Sequence, residues 1–193
     1  MSAPTTAPAA TSGRLVELAR ARVTAGGADA IAPLPGFVDS TFGPLVAQAA
    51  DGCLRRAHGT APAAASRGER TAVVVVSARG DLGTAAAIAD AVDHGRRVMP
   101  LLFFQSVPNA VAGRVAAAWG LRGPVVCTSP VGDPLADALD LADLLVSDGD
   151  ADEVLLVLVE QACLDGEHDQ ALALLVGPQA RPPDSFRSGG DAE

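Results

Sequence analysis

FFQSVPNAVAGRVAAAWGLRGPVVCTSPVGDPLADALDLA, residues 103–142, is the stretch on which the rest of the chain is organised. It reads as a loop, a helix of small residues from Asn109 to Trp119, a Gly123-Pro124 turn, a buried strand from Val125 to Ser129, a tight turn, and a second helix from Pro134 to Val146. That order sets the turn Ser129 to Asp133 between a strand end and a helix start. Unpaired backbone N–H groups point outward at such places, which suits them to a nucleophile or an anion. The tip of this turn carries no nucleophilic side chain.

Working outward, Thr71 to Ser77 (TAVVVVS) is a continuous β-branched run, the pattern of a strand buried on both faces. Val154 to Ala162 and Gln170 to Val176 read as two more strands, joined through Cys163 to Asp169 by a hairpin or wide turn containing Gly166. Val38, Phe42, Leu45, Val46, Ala49, Cys53 and Leu54 recur at helical spacing, and Pro44 suits the first turn of that helix. Arg79-Gly-Asp-Leu-Gly-Thr84 precedes a helical run, Ala85 to Val92. A cap by Asp81 or Thr84 explains it better than a phosphate loop does. Arg14 to Arg22, with Leu15, Val16, Leu18, Ala19 and Val23, reads as a short helix ended by Gly26-Gly27. Asp137, Asp140 and Asp143 spread as a fan along the last helix, a solvated face and not a metal cage. The acidic turn Asp148 to Glu153 reads as solvent-facing loop.

The chain of 193 residues suits one core. Aromatics contribute only 3%, so Ala, Val and Leu must build that core as a layered α/β domain. Residues 1–13 and 179–193 are polar or Pro/Gly-rich and are expected to be disordered and flexible, leaving a domain over 14–178. No run of apolar residues is long enough for a membrane span, and the N-terminus has no signal-peptide pattern, so a cytoplasmic location is expected. Cys53, Cys127 and Cys163 lie far apart, without metal-ligand spacing, and no metal or cofactor is expected. The formal charge is −9 and the 14 basic residues are all arginine. Nucleic-acid binding is disfavoured, and Schiff-base and P-loop chemistry are excluded for want of a lysine.

SVPNAVAGRVAAAWGLRGPVV, followed by a helix, ADEVLLVLVEQA and DQALALLVGP, resembles the N-terminal half of β-ketoacyl synthases from about Gly36 to Pro178. The resemblance implies one thiolase-like half, a layered mixed sheet with helices packed on it, although the family's first strand is not evident near the N-terminus. In that family the Gly-Pro strand leads to a nucleophilic cysteine opening a helix. Counted from Gly123-Pro124, that position is Gly132, and Cys127 falls earlier, inside the strand and between layers. The family's two catalytic histidines belong to its C-terminal half, and none of His58, His94 and His168 matches them. The resemblance therefore implies no catalytic residue here.

It also implies an interface. In the family the strand after Gly-Pro pairs with its two-fold mate and the preceding helix packs beside it. Those elements place Asn109, Gly113, Ala116 and Ala117, with Val125, Val126, Cys127 and Thr128, at a dimer contact. A half-domain is also expected to leave uncovered the sheet face that a second half would cover. The expectation is a non-catalytic, chain-length-factor-like or structural partner of a ketosynthase in polyketide or fatty-acid type biosynthesis. The partner would be a second copy or a ketosynthase-like subunit, and contact with an acyl carrier protein would be indirect. Half of a split β-ketoacyl synthase or acyltransferase, completed by a partner's histidines, is the alternative, and a simple acyl-binding module is a third.

Overall fold

The computed structural model describes residues 14–26 and 30–179. Residues 1–13 and those beyond 179, read above as disordered, lie outside the described residues.

Five strands form one mixed sheet in the order β1-β5-β4-β2-β3. They are β1 (Leu15–Thr24), β2 (Thr71–Val76), β3 (Val125–Thr128), β4 (Glu153–Glu160) and β5 (Gln170–Pro178). β2 runs parallel to both β3 and β4, while β4–β5 and β5–β1 are antiparallel. All six residues of β2 are buried, as its unbroken β-branched run demands of a central parallel strand.

One face of the sheet carries α1 (Phe42–His58) and α5 (Pro108–Trp119), whose apolar stripes meet Val73 and Val75 of β2 and Leu155 and Val157 of β4. The other face carries α6 (Pro134–Ser147), where Ala138, Leu139, Ala142 and Leu145 pack on Val74, Val76, Leu156 and Leu174. The result is three layers, and each fully enclosed Val or Leu contributes about 1.5–3 kcal/mol of burial. Three further helices complete the described chain: α2 (Ala65–Gly68), α3 (Leu82–Asp93) and α4 (Pro100–Gln105).

Three expectations are corrected. Leu15 to Arg22, read as helix, belongs to strand β1, so a first strand is present near the N-terminus. A register shift between Glu17 and Ala19 throws its apolar residues out of period two, and the broken alternation mimics a helical stripe. The stretch read as loop at Phe103 is the end of α4, which Pro100 opens at its first position. β3 is an edge strand of four residues with Val125 39% exposed, not a second buried strand. The second sheet face is also less bare than expected. α6 covers its centre, leaving Leu158 and Leu172 half-buried at the margin.

Candidate functional site

The site is set by how closely β3 can approach β2. A Cβ on Gly123 would stand 2.6 Å from the Thr71 carbonyl, so only glycine lets the turn press against that strand. The Gly123 amide then donates to Thr71 O at 3.1 Å, and β3 pairs with β2 from Val125 to Thr128. Its other side carries no strand among the described residues.

β3 delivers the chain into the turn Ser129 to Asp133, and α6 starts immediately after it. Asp133 caps the helix, its Oδ1 accepting from the amides of Leu135 at 3.1 Å and Ala136 at 2.8 Å. Asp137, one turn into the helix, reaches back. Its Oδ2 accepts from Val131 N at 2.7 Å and Gly132 N at 2.9 Å, and these two bonds hold its carboxyl below the ordinary aspartate value. The outward amides that could receive an anion or a developing oxyanion are thus taken by the chain's own carboxylates. Gly132 itself is not demanded by the backbone. Its φ is not positive, and an added Cβ would meet only Asp137 Oδ1, at 3.5 Å.

Beside the turn lies a cleft of about 300 Å³, lined among others by Ser77, Val107, Asn109, Cys127 and Ser129. Cys127, expected between layers, is half-buried at this cleft, and burial pushes its thiol up to about 11. At neutral pH it is a thiol, a poor nucleophile. Ser77 Oγ accepts from Gly80 N at 2.9 Å, holding the loop after β2. No histidine reaches the cleft. His58 ends α1 beside Glu153 at the opposite end of the parallel strands, His94 caps α3, and His168 lies in the β4–β5 connection.

The residues expected at an interface divide. Asn109, Gly113 and Ala117 are exposed on α5, and Val125 and Thr128 on β3, with Val126 and Cys127 half-buried. Ala116, only 7% exposed, packs into the core below α5 with Val115 and Trp119. A Cβ on Gly113 would meet nothing within 4 Å. This outer face of α5, with α4 and the 35–37 loop, borders an apolar groove of about 720 Å³ that includes Phe103, Phe104 and Val107. Phe103 is 74% exposed and Phe104 58%.

The sequence reading missed two features. Asp137 was placed on a solvated face, although a carboxylate in the first turn behind a glycine-tipped loop is the pattern of a side chain folding back on loose amides. The aromatic pair Phe103-Phe104, expected in a loop, lies on α4.

A family model for the β-ketoacyl synthase N-terminal domain matches residues 52–174. No curated protein matches the chain. Among solved structures, the chain is similar to the ishigamide ketosynthase/chain length factor, with a TM-score of 0.65 and 20% identity over 87% of this chain and 63% of that one. It is also similar to a ketosynthase in complex with its chain length factor from Xenorhabdus doucetiae, with a TM-score of 0.60 and 22% identity over 78% and 64% of the two chains. A third likeness is to a β-ketoacyl synthase from Burkholderia phymatum STM815, with a TM-score of 0.64 and 17% identity over 86% and 59%. The chain spans less than two thirds of the length of each of these structures. The one-half sheet, the Gly-Pro turn into β3 and the family match agree: this chain belongs to the β-ketoacyl synthase N-terminal domain family.

Proposed function

We propose that the chain is a non-catalytic ketosynthase-like subunit, a chain-length-factor-like or structural partner in polyketide or fatty-acid type biosynthesis. One observation carries the reading. The amides of Val131 and Gly132 are already bonded to Asp137, and Gly132 is the position that the count from Gly123-Pro124 sets against the family's nucleophile. Covalent loading needs an activated nucleophile, and oxyanion stabilisation needs donors that are free. The turn supplies neither. The same bonds weigh against half of a split synthase, because histidines supplied by a partner would still meet a filled site.

What the chain offers instead is surface: the unpaired edge of β3, the exposed small residues of α5, and the apolar groove beside them. A partner ketosynthase laid along this edge would extend the sheet and enclose the groove, so that Phe103 and Phe104 help to shape the space available to a growing acyl chain. An acyl carrier protein would then meet the partner, and its contact with this subunit would be indirect. A soluble, cytoplasmic setting belongs to this reading, and no helix among the described residues is long and apolar enough to cross a membrane.

The test is intact-mass spectrometry of the purified chain after incubation with acyl and malonyl thioesters, followed by co-purification with ketosynthase-like chains. No adduct and a stoichiometric complex are expected. A covalent acyl adduct on Cys127 would overturn the reading.

A further inference from the structure

Two walls of the apolar groove are joined by one side chain. Gln105 ends α4, which contributes Leu101, Phe103 and Phe104 to the groove, and the facing loop contributes Pro35, Gly36 and Phe37. Gln105 itself lies inside the protein, only 2% exposed. Its Oε1 accepts from Val38 N at 2.9 Å, and its Nε2 donates to Val38 O at 2.6 Å and to Thr84 Oγ1 at 2.6 Å. The carboxamide thus pairs with the main chain of Val38 as a neighbouring strand would, one residue beyond the groove-lining Phe37. Its orientation is fixed, because the reverse would set its NH2 against the Val38 amide. Thr84, fully buried at the start of α3, donates in turn to Asp81 Oδ2 at 2.7 Å, and Asp81 Oδ1 accepts from Ser40 Oγ. Ser40 lies two residues beyond Val38, so Gln105, Thr84, Asp81 and Ser40 close a ring that ties the loop to α3 and α4. Beside Gln105, α4 buries only Leu102. In the loop, Asp39 stands at φ 57°, a left-handed conformation that a non-glycine residue keeps where its surroundings enforce it.

We propose that Gln105 is a clasp: its carboxamide fixes the loop at Val38 to α4, sets the separation of these two groove walls, and frees both walls together when its bonds break. Both N–H groups of the amide and its oxygen are engaged, and a buried amide that loses these partners is costly, so the bonds open as a unit. A methionine would fill the same space, but it could not bond to Val38 and Thr84. Segments with few buried apolar contacts open at a lower free energy than the core. The loop and α4 form such a unit, whereas β2 is buried throughout and most of β4 is too. Gln105 is a positioning residue in this scheme, acting on the groove through the segments that it joins. The inference goes beyond the subunit reading above, and failure of that reading would leave it standing.

Two measurements of native-state hydrogen exchange test the clasp. In the wild-type chain, the amides of Phe37, Val38, Leu102 and Ser106 are expected to share one protection factor, at least about tenfold below that of the β2 and β4 amides. Protection that differs between the loop and α4 would overturn the proposal. In the second measurement, Gln105→Met keeps the volume and removes the three bonds. The amides of Phe37, Leu102 and Ser106 bond to the carbonyls of Leu34, Met99 and Leu102, which the substitution leaves in place. Their exchange is nevertheless expected to quicken at least about tenfold, while the β2 and β4 amides keep their rates. Unchanged exchange at these three amides would show that the walls hold without the clasp. An equal rise across the whole sheet would make Gln105 a residue of global stability, and either result overturns the proposal. Should the Gln105→Met chain fail to fold, the wild-type comparison decides.

Discussion

Asp137 Oδ2 accepts a 2.9 Å hydrogen bond from the Gly132 amide, which ties the first turn of α6 to the tip of the turn before it. The helix N-terminus that would favour a thiolate at position 132 therefore has a carboxylate beside it. A Gly132→Cys substitution is sterically tolerated, since its Cβ would stand 3.5 Å from Asp137 Oδ1. The new thiol is expected to alkylate slowly, because the adjacent negative charge raises its pKa. Combining it with Asp137→Asn should speed alkylation by roughly 3- to 10-fold, as the opposing charge is removed. Neither variant should condense thioesters, which intact mass and product chromatography would check. Equal alkylation rates would mean that Asp137 does not control the electrostatics of the turn.

The same bonds make a pH prediction. The folded-state pKa of Asp137 lies below its ordinary value of 3.8. A carboxylate depressed by folding adds stability that is present above the unfolded value and is lost as pH falls through the folded one. Wild type should therefore exceed Asp137→Asn in unfolding midpoint near neutrality, and the gap should close as pH drops below about 3.8. Denaturant unfolding from neutral to acid pH measures it. A gap independent of pH would assign the difference to packing instead.

Two glycines in the same region should respond in opposite ways. Gly123→Ala forces a Cβ against the Thr71 backbone at 2.6 Å and should destabilise the fold by about 1–3 kcal/mol, because backbone must move to admit it. Gly113→Ala meets open space on a helix and should stabilise by about 0.5–1 kcal/mol. Gly113→Trp should leave thermal unfolding of the isolated chain nearly unchanged and abolish binding to a ketosynthase-like partner. Tight binding by Gly113→Trp would move the interface away from α5.

The sequence made the strands legible wherever burial on both faces produced an unbroken apolar run, as at Val73 to Val76. It failed where geometry departed from a simple period. The shift between Glu17 and Ala19 hid β1, and a helix of six residues at Pro100 was too short to show a stripe. Edge and centre were also indistinguishable for β3, since Val-Val-Cys-Thr is apolar in either place. At the turn, the lack of a nucleophilic side chain at the tip is plain from residue identity alone. The occupied amides were harder to read, because the series Asp137, Asp140 and Asp143 looks like one solvated face and only Asp137 stands in the first turn, within reach of the Val131 and Gly132 amides.

The last prediction concerns the other end of the sheet. The His58 side chain, 2% exposed, lies with Nε2 3.4 Å from Glu153 Oε2, and neither atom has a hydrogen-bond partner. Glu153, read from sequence as solvent-facing loop, instead opens β4, and its other oxygen pairs with Arg67 of α2. Burial first, and then the Arg67 guanidinium, lower the His58 pKa from 6.5, while Glu153 opposes them. The folded state therefore takes up the proton less readily than the unfolded chain does. Stability should fall as pH drops below about 6.5 and level off once folded His58 also protonates. His58→Gln should remove that slope. Arg67→Met should raise the His58 pKa, because Glu153 is then opposed by burial alone. Imidazole chemical shifts followed through the titration decide the matter, and a wild-type midpoint above 6.5 would show that Glu153 outweighs burial.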